Sequence, residues 1–330
     1  MRVLIMGGGW FLGRAVAEEA LRRGWKVTTF SRGRSGRDVA GAKPVRGDRT
    51  RGSDLRRLAG AGPWDAVVDT SAAEMPPRVV LAAARALEPV AGRYVYVSTV
   101  NAYRGWPNEP LTEASELHDA PADADIGEDY GRQKAGSERA VWETFGRDRS
   151  VILRPGVILG PGEYVGRLPW WLTRAARGGE ILAPGDPAQV IQPVDVRDVA
   201  AFALDRAAAT DAGAYNVVTP LGRETMGGFL AACLEVTGHR GTLRWVPDDV
   251  LLRHGVRQWT ELPLWRTTAG AWAVDSALAQ AAGLRCRPLA ATVEDTWRWL
   301  AGGEDPVEHP RRAEHGIAPE REAAILAALG

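Results

Sequence analysis

The chain reads as an α/β protein, a doubly wound and mostly parallel sheet with a smaller, discontinuous lobe built from its C-terminal part. Three observations predict this. Short apolar runs alternate with amphipathic helical stretches through the first 155 residues. A glycine-rich turn, Gly7-Gly8-Gly9-Trp10-Phe11-Leu12-Gly13, stands between the first run and the first helix. After Arg154-Pro155 the alternation gives way to segments rich in glycine, proline and tryptophan.

Residues 2–6 form an apolar run closed by three glycines, the pattern of a strand buried on both faces. Residues 11–23 form a helix, with Leu12, Ala15, Val16, Ala20 and Leu21 on one face and Gly24 as its stop. Strands are expected at 25–30, at Val45, and at 66–69, 93–97 and 150–153, with helices at 53–59, 78–87 and 129–145. Residues 31–36 read as a turn-rich loop, and Pro107, Pro110 and Pro121 mark a long loop before the 129–145 helix. Residues 190–194 and 196–208 read as a strand and helix returning to the main sheet, and 214–218 as a further strand. Helices at 168–177 and 225–237 belong to the lobe, followed by short helices and loops carrying Trp245, Trp259, Trp265, Trp272, Trp297 and Trp299. The expected division is a dinucleotide-binding domain of 1–155 plus 188–218 and a substrate lobe of 156–187 plus 219–330.

The tail begins at Gly302-Gly303, which end a helix. Pro306 and Pro310 predict an extended stretch, and Pro319-Glu320-Arg321-Glu322 opens a short helix. Its apolar residues Ala323, Ile325, Leu326 and Leu329 must bury somewhere, so the tail is expected to dock on the body and close one side of the cleft.

Composition narrows the function. The 330 residues carry a formal net charge of zero with 45% hydrophobic and 25% charged residues, which gives no electrostatic footprint for nucleic acid or an acidic membrane. Two cysteines, Cys233 and Cys286, supply neither a disulfide framework nor a four-cysteine metal site. No apolar run approaches the roughly 18 residues of a membrane span. A strand starting at residue 2 leaves no room for a signal peptide. The expectation is a cytoplasmic enzyme of a small molecule, without metal, membrane or nucleic-acid partner.

Tyr130-Gly131-Arg132-Gln133-Lys134 carries the chemistry. Tyrosine and lysine four apart lie one turn above each other on a helix. A neighbouring ammonium favours the phenolate and is expected to draw the Tyr130 pKa down from about 10, suiting an acid/base near neutral pH. The chain has three lysines, Lys26, Lys43 and Lys134, among 41 basic residues, so a lysine here is a selective use. The glycine turn presents free N–H groups and a positive helix end to a pyrophosphate. Where an NAD enzyme places an acid after the second strand, this chain places Ser31-Arg32-Gly33-Arg34. A hydroxyl and two guanidinium groups suit a 2′-phosphate, which predicts NADP.

Together with Gly47-Asp48, the 67–72 segment Val-Val-Asp-Thr-Ser-Ala, Ser98-Thr99-Val100-Asn101-Ala102-Tyr103, Leu153-Arg154-Pro155-Gly156, Val194-Asp195-Val196-Arg197-Asp198 and Tyr215-Asn216-Val217, these motifs make the chain resemble the extended short-chain dehydrogenase/reductases, the NAD-dependent epimerase/dehydratase superfamily. The resemblance runs from residue 1 to about 300 and implies a Rossmann-type fold, commonly dimeric through helices including the one bearing Tyr130. It implies that Gly7, Gly9, Trp10, Phe11, Leu12 and Gly13 hold the pyrophosphate turn, that Asp48 meets the adenine, and that Ser71, Ala72 and Pro155 line the cofactor. It further implies Thr99, Tyr130 and Lys134 as the catalytic residues, Lys134 also holding the nicotinamide ribose. Asn101, Tyr103, Trp170, Trp171 and Trp259 are the substrate-site candidates.

Three departures shape the reading. Trp10 replaces the turn's middle glycine. Val100 and Asn101 replace the Asp-Glu of the sugar-nucleotide 4,6-dehydratases, and Ile191 replaces an arginine that grips substrate pyrophosphate. The last two count against a nucleotide-sugar substrate. The leading expectation is an NADPH-dependent reductase, or the reverse dehydrogenase, of a carbonyl or imine. The alternatives are an epimerase with the same triad and an RNA-binding protein of the chloroplast stem-loop-binding type.

Overall fold

The computed structural model describes residues 1–34, 37–304 and 309–329. Seven parallel strands form the central sheet. They are β1 (Arg2–Met6), β2 (Lys26–Ser31), β3 (Lys43–Arg46), β4 (Trp64–Asp69), β5 (Ala91–Val97), β6 (Ser150–Pro155) and the strand Gly213–Val217. Their spatial order is β3-β2-β1-β4-β5-β6 and then Gly213–Val217. The order reverses direction between β1 and β4, the switch point where open α/β sheets bind ligands. Register is continuous across it, with Val3 opposite Val27 on one side and Ala66 on the other.

The alternation within β1 shows why both faces need helices. Val3 and Ile5 point into one fully buried cluster with Val16 and Ala17 of α1 (Phe11–Arg22) and Phe202 and Ala203 of α6 (Val196–Ala208). Leu4 and Met6 point into the other, with residues of α2 (Gly52–Ala59), α3 (Pro77–Leu87) and α4 (Tyr130–Phe145). A strand flanked this way must be apolar at every position.

A third core gathers the lobe. It joins α5 (Arg167–Arg177), α7 (Met226–Val236), α8 (Asp248–Arg253) and α10 (Leu289–Ala301), and reaches Ile325 of the final helix. The short helix α9 (Ala277–Ala281) packs instead against the main body, through Ala279. Two parallel strands, Gly179–Pro184 and Gly241–Val246, run through the lobe and were not expected from the sequence, where glycine and proline at their ends read as loop.

Residues 190–194 do not rejoin the main sheet as expected. Val190–Ile191 pairs antiparallel with Glu224–Thr225, and Val194–Asp195 pairs with Ile158–Leu159. Pro193 between them has no N–H to give a ladder, and the buried Gln192 side chain instead bonds the carbonyls of Thr219 and Val274 at 2.9 Å each. The 196–208 helix does return, packing against α1.

The tail docks, with Ile325 buried and Leu326 and Leu329 packed against the lobe core as expected. Pro310–Glu314 is a 3-10 turn rather than extended chain, and Pro306 lies outside the described residues. In α11 (Pro319–Ala328) Ile325 buries, but Ala323 is exposed and Glu322 takes the interior position. Its carboxylate receives Arg174 Nε at 2.7 Å and the Leu182 N–H at 3.1 Å.

Candidate active site

The catalytic candidates meet at the C-terminal end of β5. Thr99 lies two residues beyond that strand and caps a short 3-10 turn, its hydroxyl accepting the Asn101 N–H at 3.2 Å. Asp129 caps α4 by accepting the Arg132 N–H at 3.0 Å, which places Tyr130 at the first position of the helix. Gly131 explains how the two come together: a Cβ there would stand 2.5 Å from the Asn101 carbonyl oxygen, so only glycine lets the helix start press against the Thr99 turn. The Thr99 side chain acts on the Tyr130 hydroxyl and favours its ionised form.

Lys134 lies buried one turn on. Its ammonium donates to the Val97 carbonyl at 2.9 Å and to the Tyr96 hydroxyl at 3.3 Å, and sits 5.9 Å from the Tyr130 ring centre. Here the structure corrects an expectation. Tyr130 is pushed up to about 12, because burial outweighs the opposing effect of Thr99. Lys134 is the group that moves down, to about 8, again through burial. Lys134 is buried and Tyr130 partly so, and in both the loss of hydration of the charged form is the leading cause of the shift.

The glycine turn fits a dinucleotide. Gly7 takes a left-handed φ of +95°, and a Cβ on Gly13 would lie 2.1 Å from the Gly7 carbonyl oxygen. The turn is thus pressed flat against the start of α1, whose N-terminal amides have no side-chain cap. Trp10, at the N-cap, turns outward. Its ring lies 5.6 Å from Tyr164 and 6.0 Å from His309, so an aromatic clasp joins the turn to a lobe loop and to the tail. Phe11 meets the same Tyr164 at 6.1 Å, and Leu12 is buried.

At the end of β2, Arg32 and Arg34 are exposed. The Ser31 hydroxyl accepts from Arg46 Nη1 at 3.2 Å, adding a guanidinium that the sequence reading missed because it arrives from β3. Ser35 and Gly36 of this loop lie outside the described residues. Asp48 directs Oδ1 to the Thr50 N–H at 2.9 Å, which holds its carboxyl below the usual range. Ser71 is tied to Asp69 and Arg49, Ala72 is buried, and Pro155 ends β6.

Tyr103 and Trp171 are not substrate contacts. Tyr103 is fully buried, and its hydroxyl donates to Asn216 Oδ1 at 2.7 Å and receives Arg154 Nη1 at 2.8 Å. That bond belongs to a buried network, unseen in the sequence, in which Arg154 grips Glu138 of α4 and Ser98 donates to the same carboxylate. Trp171 is core, its indole N–H bonded to the Pro263 carbonyl at 2.8 Å. Trp170 packs on it at 4.6 Å and against Gly316 of the tail. Asn101 is half-buried beside Thr99, and Trp259 is half-buried among other aromatic rings and two arginines. The tail adds Arg311, whose charge acts on Tyr130 and whose Nη1 lies 3.9 Å from Glu74. A groove of about 630 Å³ bordered by Glu113, Trp142, Arg147 and residues 210–214 shares none of the catalytic candidates.

Residues 3–218 match the NAD dependent epimerase/dehydratase family. The chain belongs to that family. It is 30% identical over 214 residues to a 2-alkyl-3-oxoalkanoate reductase of Stenotrophomonas maltophilia, covering 61% of this chain and 63% of that relative's length. Its fold is similar to the UDP-glucose 4-epimerase of Thermotoga maritima, solved with UDP-glucose, at a TM-score of 0.69 and 19% identity over 92% of this chain and 99% of the other. It is equally similar to the Bordetella bronchiseptica enzyme WbmH, solved with NAD+, at a TM-score of 0.68 and 21% identity over 91% and 98%. This chain shares its Rossmann-type α/β fold with both of these solved structures. No helix among the described residues is long and apolar enough to cross a membrane.

Proposed function

We propose that this member of the family is an NADPH-dependent reductase, or the reverse dehydrogenase, of a carbonyl or imine carbon in a small-molecule metabolite. The observation that carries the reading is the start of α4, with Tyr130 pressed against the Thr99 turn and Lys134 one turn below, two strands from the glycine turn. Gly7 and Gly13, with the free amides of α1, would hold the dinucleotide, which when bound supplies the hydride. Thr99 and Tyr130 would hold the substrate oxygen, and Tyr130 gives it the proton as the carbon is reduced. A phenol pushed up to about 12 stays protonated through the neutral range, which suits the acid of a reduction better than the base of an oxidation. The reductase name of the Stenotrophomonas relative supports the same direction.

Arg32 and Arg34, with Arg46 behind Ser31, favour a cofactor carrying a 2′-phosphate. The second reading, an epimerase, draws on the likeness to UDP-glucose 4-epimerase. Ile191 weighs against a nucleotide sugar, because it is fully buried in the lobe core where a pyrophosphate-binding arginine would be needed.

The test is NADPH oxidation with a panel of ketones and imines, with Tyr130→Phe alongside. The variant is expected to lose about 10²–10⁴-fold in kcat with unchanged cofactor Kd. Turnover within a few-fold of wild type overturns the reading, and isomerisation without net NADPH loss favours the epimerase. Arg32→Ala is expected to weaken NADPH alone, by about 1–3 kcal/mol, in calorimetric titrations of both cofactors.

A further inference from the structure

Trp259 is the hub of a second constellation. Its indole lies 6.3 Å from Trp106 and 5.9 Å from Trp272. Two guanidinium groups sit over the same indole, Arg266 at 4.5 Å and Arg167 at 5.3 Å. Arg266 also lies 5.4 Å from the Trp106 ring. The backbone at Trp259 has a φ of +70°, a left-handed conformation costly for a bulky side chain and characteristic of functional sites.

The donors of this cluster lack acceptors. Arg167 Nε, Arg266 Nε, Trp106 Nε1 and Trp272 Nε1 are all buried without a hydrogen-bond partner among the described residues. Buried N–H groups are normally satisfied, so four together at one indole require an explanation. Countercharge is also short. Glu163 accepts the backbone N–H groups of Arg167 and Leu168 at 2.9 and 3.0 Å, and reaches the Arg167 guanidinium only at 3.9 Å. No acidic neighbour acts on Arg266, whose charge is disfavoured by burial alone. Both arginines nonetheless stay protonated at any physiological pH. Partly buried cations and unfilled buried donors gathered at one indole are the mould of an anion.

The cluster adjoins the chemistry. Trp106 lies on the loop that follows Thr99, and Arg167 follows the loop of Tyr164 and interacts electrostatically with both Tyr164 and Tyr130. The geometry points to a substrate that is a small organic anion: Arg266 and Arg167 hold its carboxylate or phosphate, and its apolar body lies against Trp106, Trp259 and Trp272. The word substrate rests on the reductase reading; the anion site stands on its own geometry.

The experiment is calorimetric titration of the full chain, with and without NADPH, using matched probes. The pairs are cinnamate and cinnamamide, octanoate and octanamide, and phenyl phosphate and phenol. At least one anion is expected to bind about tenfold or more tightly than its neutral partner, the preference falling as salt is raised. The carboxylate and phosphate arms identify which head group the site takes. The preference should vanish in Arg266→Leu and persist in Tyr130→Phe. Arg266→Gln, which keeps part of the stacking stem, repeats the measurement should the leucine variant fail to fold. Equal binding within every pair in wild type overturns the proposal, even where ketone turnover is found. So does a preference that survives Arg266→Leu. Selective anion binding without any turnover upholds the site while the reductase reading fails.

Discussion

Two sets of arginines divide this molecule. Beneath the sheet's C-terminal edge, Arg49 meets both oxygens of Asp69 at 2.8 Å, and Arg154 meets both oxygens of Glu138 and the Tyr103 hydroxyl. In the lobe, Arg266 and Arg167 rest on a tryptophan, each with its Nε unfilled. Residue type is alike, but Arg49 and Arg154 are fully buried against a carboxylate, whereas Arg266 and Arg167 are partly buried with none close by. A buried guanidinium locked to a carboxylate organises structure, here the floor under Thr99 and Tyr130. One left on an aromatic face keeps its attraction available to a visitor.

The largest expected effect comes from breaking the paired set. Glu138→Gln leaves Arg154 buried without countercharge, and removing one partner of such a pair costs about 3–5 kcal/mol. Urea denaturation measures it. A loss under about 1 kcal/mol would mean that the pair does not hold α4 to β6, and the contrast with the cleft would lose its structural half.

Glu322 tests whether the tail belongs with the paired set. Its carboxylate is buried against Arg174 and also receives Arg177 at 3.3 Å. Glu322→Gln is expected to cost about 3 kcal/mol, the low end of the same range, because Arg177 is half exposed and can rehydrate. Removing 302–330 separates anchoring from function. Arg311 and His309 reach Tyr130 and Trp10, so the Michaelis constant should rise along with the loss of stability. Lower stability with an unchanged Michaelis constant would reduce the tail to packing.

Lys134 is the intermediate case, a buried cation whose direct partners are a carbonyl and a phenol, with the Asp69 charge acting from farther off. Its pKa falls from 10.5 unfolded to about 8 folded. Between those values the unfolded chain binds more protons, so stability rises with pH through this window. Relative to Lys134→Met, wild type should gain roughly 3 kcal/mol from pH 8 to pH 10.5, the free energy of a shift of that size. Parallel stability curves for the two proteins would show that Lys134 stays charged through an unseen partner.

Most of the sheet was legible because both faces of each inner strand are covered, so apolar runs and the intervening helical periodicity agree. The Gly7–Gly13 turn and the Tyr130–Lys134 spacing were legible for a similar reason: each is a local pattern with a local mechanism. What escaped depended on distant partners. The parallel pairing of 179–184 with 241–246 joins segments with no local signal. Tyr103 and Trp171 looked like pocket residues until Arg154, Asn216 and Pro263 were seen to engage them. The direction of the Tyr130 shift turned on burial, which helical spacing does not report. Glu322 defied the apolar stripe because Arg174 waits opposite it, 148 residues away in sequence.

The smallest stability effect is expected where the comparison is sharpest. Arg266→Leu removes a partly buried charge that no carboxylate balances. The variant loses a cation–π contact worth about 0.5–2 kcal/mol and is relieved of a desolvation cost of similar size. Its stability should therefore stay within about 1 kcal/mol of wild type, whereas Arg154→Leu, which strands Glu138, loses several. Ligand response should run the other way. Any anion bound at Trp259 raises the melting temperature by mass action, in wild type and in Arg154→Leu if it still folds, but not in Arg266→Leu. A loss above about 2 kcal/mol in Arg266→Leu would make Arg266 a structural residue like Arg154, and its unfilled donors would then need water rather than a ligand to satisfy them.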